Sequence, residues 1–282
     1  MKYGLYIPPF GPYGDARTLA SLARDAEDAG WDGFFIWDHI AGHDLAFTDT
    51  WVALAAVALA TTRIRIGTTV TPVPRRRPWK LARETVAVDR LSNGRLILGV
   101  GIGVGDPEWG DLGEETKLRK RAQMLDEGLD ILVGLWSGEP FSYEGRYYRV
   151  SEAHFLPKPL QSPRIPIWVG GFWPNRGPFD RAARWDGVFP LYSTWDRLPD
   201  QLREVAIYIK SRRDSDAPFD IISMGVTPTP DEGLDDVAAF AEAGATWWLE
   251  AIAPFRYDRG FDEPWPVEAL RERVLQGPPR LG

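Results

Sequence analysis

The stretch Gly33-Phe-Phe-Ile-Trp-Asp-His-Ile40 decides the reading of this chain. Its apolar run, Phe34 to Trp37, reads as a strand buried on both faces, and it stops abruptly at Asp38 and His39. Upstream, Tyr3–Ile7 reads as a first buried strand. It leads into a helix opened by Asp15, with Leu19, Leu22, Ala23 and Ala26 at helical spacing and Gly30 closing it. Downstream come an alanine-rich helix from Asp49 or Thr50 to Ala60 and a strand over Ile64–Val70. The alternation continues with helix Pro78–Leu91, strand Leu96–Val100 and, after an irregular Gly- and Asp-rich loop, helix Glu115–Trp136. It resumes with strand Ile167–Val169, helix Pro178–Arg184, strand Gly187–Pro190 and helix Asp196–Arg212. Strand Ile221–Thr227, helix Asp231–Ala243, strand Thr246–Ile252 and helix Pro264–Leu275 complete it.

Eight strands, each followed by a helix, favour a closed (β/α)8 TIM barrel over an open doubly wound α/β sheet. One excursion breaks the rhythm near 137–166, where Phe141-Ser-Tyr-Glu-Gly-Arg-Tyr-Tyr-Arg-Val alternates around a Gly turn and reads as a small hairpin before a Pro-rich crossing. Residues 1–282 are therefore expected to form a single domain, a length and apolar content (44%) that suit one large core.

A net charge of −7, with Arg75-Arg76-Arg77 as the one short basic cluster, argues against a nucleic-acid partner. The absence of cysteine excludes disulfides, thiolate nucleophiles and Cys-based metal sites. The N-terminus lacks a signal-peptide layout and no apolar run approaches membrane-spanning length, which points to a cytoplasmic enzyme with no membrane partner.

In barrels of this class the chemistry sits on the loops after the strands. Polar candidates concentrate after strand two, where His39 is a candidate general acid or base and Asp38 a candidate to orient or charge it. The bland alternative is an N-capping Asp beside a structural histidine. His39 and His43 are spaced for a metal only if that segment is helical, and Gly42 between them argues against it, so no metal is expected. Gly99-Val-Gly-Ile-Gly-Val-Gly105 lacks the endings of a P-loop and the spacing of a dinucleotide fingerprint. Gly170-Gly171, at a strand end before a helix, is a better phosphate cradle, with Asn175 and Arg176 in reach. Of the 13 tryptophans, Trp37, Trp79, Trp109, Trp173 and Trp195 fall at or beyond strand ends and are candidate walls of an apolar pocket. Phe10 and His43 belong to the same candidate pocket.

The segments Trp37-Asp-His39, Ile66-Gly-Thr-Thr-Val-Thr-Pro72, Asp89-Arg-Leu-Ser-Asn-Gly-Arg95, Leu98-Gly-Val-Gly101 and Pro157-Lys-Pro-Leu-Gln-Ser-Pro-Arg-Ile-Pro-Ile-Trp-Val-Gly-Gly171 resemble those of the bacterial luciferase-like flavin oxidoreductases. The resemblance covers essentially the whole chain and implies a TIM barrel that binds coenzyme F-420, a deazaflavin, or FMN at its C-terminal mouth, commonly as a homodimer. Asp38 and His39 match the Asp-His of the deazaflavin-dependent branch, which favours F-420, with FMN as the alternative. Thr69-Val70 matches a bulge, often containing a non-prolyl cis peptide, behind the ring. Gly101 and Gly103 would lie near the ring and Gly170-Gly171 at the phosphate of the tail.

One departure stands out. Sugar phosphate dehydrogenases of that family carry a catalytic Glu in the glycine-rich loop, where this chain has Val104, and one of their aromatics falls at His43. That argues against a sugar phosphate substrate and leaves His39 without a carboxylate from that position. The expectation is hydride transfer between cofactor and a partly apolar small molecule. The alternatives are an FMN-dependent monooxygenase served by a partner flavin reductase and a cofactor-binding protein without catalysis.

Overall fold

The computed structural model describes residues 1–42, 44–104, 106–193 and 198–281, the side chains of 106 and 107 excepted. Its elements run in chain order as β1 (Lys2–Ile7), α1 (Ala16–Asp28), β2 (Gly33–Ile36), α2 (Thr50–Ala60), β3 (Arg65–Thr68), β4 (Thr71–Pro72) and α3 (Pro78–Leu91). They continue as β5 (Leu96–Gly101), α4 (Asp106–Asp111), α5 (Leu118–Trp136), β6 (Phe141–Glu144), β7 (Arg149–Ala153), β8 (Ile167–Phe172) and α6 (Arg176–Ala182). The last are β9 (Gly187–Leu191), α7 (Pro199–Arg212), β10 (Asp220–Gly225), α8 (Leu234–Glu242), β11 (Trp247–Ala251) and α9 (Val267–Leu275).

Eight parallel strands close into a barrel in the order β3-β2-β1-β11-β10-β9-β8-β5, and β3 meets β5 at Ile66↔Leu96 and Gly67↔Ile97. This is the expected (β/α)8 architecture. The third strand differs from its expected continuous span. It breaks at Thr69 and Val70, and β4 resumes pairing with β5 at Thr71↔Val100. The hairpin of the excursion is β6 against β7. A short helix, α4, replaces the irregular loop expected between β5 and α5.

Helix starts follow local chemistry. Asp15 caps α1 by accepting from the Thr18 N–H at 3.0 Å, and Asp49 caps α2 through the Val52 N–H at 2.9 Å. The Asp89–Arg95 motif is a clamp. Buried Asp89 accepts from the Leu160 N–H at 2.7 Å and from the Gln161 amide at 2.7 Å, tying the excursion to the barrel. Arg95 donates to the carbonyls of Ala58, Thr61 and Ile64, closing the α2–β3 corner. Glu27 performs a similar task between α1 and β3, accepting from the backbone N–H groups of Thr62, Arg63 and Ile64.

Burial pushes the Glu27 carboxyl up, but those three N–H bonds outweigh it and hold it at about 2, below its ordinary 4.5. A carboxyl depressed in the folded state stabilises above its unfolded value and loses that contribution as pH falls through its folded one. Glu27→Gln is therefore expected to cost about 2 kcal/mol in urea unfolding at pH 7, shrinking toward zero as the pH drops from 4.5 toward 2. An equal cost at pH 7 and at the acid end would show that charge plays no part.

Candidate active site

The late residues of the barrel strands enclose a cavity of about 1020 Å³. Tyr6 of β1, Met224 of β10, Leu191 of β9 and Val70 form an apolar floor and wall. The cavity gathers Trp37, Asp38, His39, Thr69, Val70, Gly101, Gly103, Trp109, Gly170, Gly171 and Asn175, all of them candidates from the sequence. The Thr69–Val70 peptide bond is cis. Val70 lies against the two glycine strands: a Cβ at Gly101 would stand 2.7 Å from its side chain and one at Gly170 2.9 Å. Gly103 has φ +78°, and a Cβ there would stand 2.4 Å from the Trp109 ring, so this turn accepts only glycine without rearrangement.

Four expected residues lie elsewhere. Phe10 is buried in an aromatic cluster with Phe47, Phe261 and Trp265, at centroid distances of 4.8, 5.3 and 5.9 Å, and stands edge-on behind Trp37 and His39, at 5.7 and 6.5 Å, without lining the cavity. Trp173 is buried against Phe179 and donates to Glu204 at 3.1 Å. Arg176 stacks outside it, 4.6 Å from the Trp173 ring and 4.4 Å from Tyr208. Trp79 is half-exposed on α3, packed edge-on to Tyr148. In each case the side chain packs against rings away from the mouth: Phe10 and Trp173 from loops, Trp79 and Arg176 from the first turns of α3 and α6. His43 and Trp195 lie outside the described residues.

The electrostatics differ from the sequence expectation. Asp38 faces Arg76, whose Nη2 donates to both carboxylate oxygens at 2.7 and 2.9 Å. The ring of His39 is instead held by Glu108 of α4, with Nδ1 3.2 Å from Oε2. Glu108 also accepts from the Ile40 N–H at 2.7 Å and from Arg75 at 2.9 Å. Burial raises its carboxyl, but the bonds from His39, the Ile40 N–H and Arg75 prevail and hold it at about 2. Glu108 is thus an ionised acceptor, and it fixes the proton of His39 on Nδ1, leaving Nε2 as the exchangeable position. The carboxylate missing at Val104 enters four residues later.

Trp109, one residue on, has the guanidinium carbons of Arg75 and Arg121 each 4.3 Å from its ring centroid. Arg119 and Arg121 of α5 and Arg181 of α6 bring positive charge to the cavity on the side of Asn175 and Gly177. Sequence reasoning missed Glu108, Arg75, Arg76 and these three arginines. Their one visible signal was the Arg75-Arg76-Arg77 run at a strand end. Among the described residues no group of three His, Cys, Asp or Glu could hold a metal ion, and no helix is long and apolar enough to cross a membrane.

The model of one family, the luciferase-like monooxygenases, matches residues 1–271. The chain belongs to that family. A curated relative, the F420-dependent glucose-6-phosphate dehydrogenase of Gordonia bronchialis, is 32% identical over 236 residues, 78% of this chain and 67% of that one. An F420-dependent secondary alcohol dehydrogenase, solved with an F420-acetone adduct, superposes with a TM-score of 0.76 at 17% identity, covering 89% of this chain and 92% of that one. The oxygenating constituent of 3,6-diketocamphane monooxygenase from Pseudomonas putida, solved with FMN, superposes at 0.78 and 17% identity over 98% and 96%. Both superpositions show the same barrel fold.

The Asp38–Arg76 pair gives a direct test of this geometry. Asp38→Asn leaves the buried Arg76 with Glu84, at 3.8 Å, as its remaining carboxylate in ion-pair reach, and is expected to cost about 2–4 kcal/mol in thermal unfolding. A loss below about 0.5 kcal/mol would mean that water reaches Arg76 freely.

Proposed function

We propose that this chain is a deazaflavin-dependent oxidoreductase that uses coenzyme F-420 and acts on a partly apolar organic substrate. The observation that carries the reading is the imidazole of His39, fixed by an ionised carboxylate at the edge of a large, glycine-lined barrel cavity. The residues present fit such a cofactor. Glycines at 101, 103, 170 and 171 bring backbone to the cavity with no side chain between, while Trp37 Nε1 and Thr69 Oγ1 are buried donors there without a partner among the described residues. A bound deazaflavin supplies hydride acceptance and donation at a ring carbon.

The chain's own groups do the rest. Val70 and the cis bulge would back the ring, the apolar walls from Tyr6, Leu191 and Met224 would exclude water, and Arg119, Arg121 and Arg181 would hold an anionic tail. His39 Nε2 takes or gives the accompanying proton, and Glu108 stabilises the imidazolium that results. The Gordonia bronchialis relative supports F-420, though Val104 still argues against a sugar phosphate. The likeness to a barrel solved with FMN supports a second reading, a monooxygenase served by a partner reductase. Homodimerisation belongs to the same proposal: α2 is apolar around its circumference and exposes Val52 and Leu59.

His39→Ala is expected to lower turnover with the true substrate by about 10²–10⁴-fold while changing the dissociation constant for F-420 little. Glu108→Gln should fall between it and the wild type. Fluorescence titration with each cofactor decides the cofactor, and tight binding of reduced FMN without affinity for F-420 would replace the first reading by the second. In sedimentation, Leu59→Asp should yield monomer, and an unchanged mass would place any dimer contact elsewhere.

A further inference from the structure

A second cavity, of about 280 Å³, adjoins the first, and Trp109 lines both. Its other charged or polar walls are Arg75, Arg76, Arg77, Glu114, Glu115 and Tyr148. Three of these residues carry a buried donor that has no partner among the described residues: Arg75 Nη2, Arg76 Nε and the Tyr148 hydroxyl. A buried donor left unpaired costs about 1–3 kcal/mol, and three of them on the walls of one cavity call for an acceptor-rich occupant. Burial pushes the Tyr148 hydroxyl up to about 12, so it remains a donor at neutral pH.

The two carboxylates on these walls already hold cations. Glu114 accepts from Arg75 Nε at 2.7 Å, and Glu115 accepts from Lys120 Nζ and the Lys117 N–H, both at 2.9 Å. Arg77 is exposed, and no ion pair is found for it among the described residues. It also occupies the N-cap of α3 without a side-chain cap bond. Three arginines before the positive end of a helix reverse the usual preference for Asp, Ser or Asn, a repulsion that a bound anion offsets.

We propose that this second cavity binds a small oxyanion, inorganic phosphate or sulfate or the phosphoryl end of a metabolite, and that its occupancy adjusts the proton-handling residues of the main cavity. The link runs through hydrogen bonds. Arg75 holds Glu108, which holds His39, and Arg76 holds Asp38, so two walls of the second cavity are bonded to residues that line the main one. An anion that draws on Arg75 loosens its bond to Glu108. The binding half stands alone, whereas the consequence for turnover rests on the role given to His39 above.

The test uses the full chain without cofactor, titrated calorimetrically with inorganic phosphate and with sulfate against chloride at equal ionic strength. Saturable binding at the second cavity is expected, told apart by the variants from any binding at the Arg119 rim of the main cavity. The double variant Arg77→Ala/Tyr148→Phe should weaken it at least about tenfold, and Arg119→Ala, in the main cavity, should leave it unchanged. The isosteric Tyr148→Phe alone serves if the double variant misfolds, with a smaller loss expected. Absence of saturable binding overturns the proposal, as does binding that Arg119→Ala abolishes and the double variant keeps, since the anion then sits in the main cavity. Nitrogen-detected NMR of the His39 ring reads the coupling without any turnover. A shift on adding phosphate to the wild type and none in the double variant supports it, and an immobile signal at saturation refutes it.

Discussion

Everything above the middle of the barrel rests on three rings that fill its lower half. Phe35, Trp168 and Trp247 meet with centroids 5.0, 5.3 and 5.5 Å apart, and all three are fully buried. Rings of that size fit inside a parallel barrel only if neighbouring strands yield space. At Gly33 a Cβ would stand 2.4 Å from the Phe35 ring and 2.8 Å from Trp247, and at Gly187 one would stand 2.4 Å from Trp168. The plug comes from Phe35 of β2 and from the early residues of β8 and β11. The later residues of the strands are thereby left to enclose an open cavity instead of closing on one another. Aromatic packing below is thus the condition for a binding site above.

On that floor the polar groups are arranged as alternating donors and acceptors. Glu114, Arg75, Glu108 and His39 form one line, with Arg76 and Asp38 beside it. Such buried pairs contribute little net stability, because desolvation consumes most of the Coulombic gain. What they supply is position. The His39 ring is held through its Nδ1, and the backbone N–H of Ile40 is gripped by the same carboxylate, so α4 and the loop after β2 move as one unit. A ring fixed in this way meets a bound molecule with little further loss of freedom.

The barrel was legible because each strand and helix announces itself by local period and by punctuation at Gly, Pro and Asp. The cavity's glycines and the Asp38-His39 tip were legible for the same reason, since position in a barrel strand fixes which end a residue occupies. What escaped was pairing across sequence distance. Arg75 and Glu108 are 33 residues apart and Arg76 and Asp38 are 38 apart, and neither pair leaves a trace in local pattern. Helix α4 escaped because its six residues include Gly110 and lack an apolar stripe, so the carboxylate it carries had no element to be placed on. Phe10 and Trp173 stand at strand ends as expected, yet ring packing turned them from the mouth. Residue position was read correctly there, and side-chain direction was not readable at all.

The distribution of charge around the cavity has a further consequence. The chain is acidic overall, with a net charge of −7, yet Arg119, Arg121 and Arg181 converge on one side of the mouth. Arg181 is tied to Asp126 by bonds of 2.7 and 2.9 Å, which fixes its direction where it lines the cavity. Against a general negative field, that cationic rim is the part of the main cavity's mouth that favours an anion. On the proposed reading, a molecule with a flat apolar body and a charged tail would be oriented tail toward α5 and α6 and body toward Tyr6, Val70 and Met224. The orientation brings the body past His39, at the edge of the apolar region. The polarity of the cavity, more than any single contact, determines which part of a bound molecule meets the imidazole.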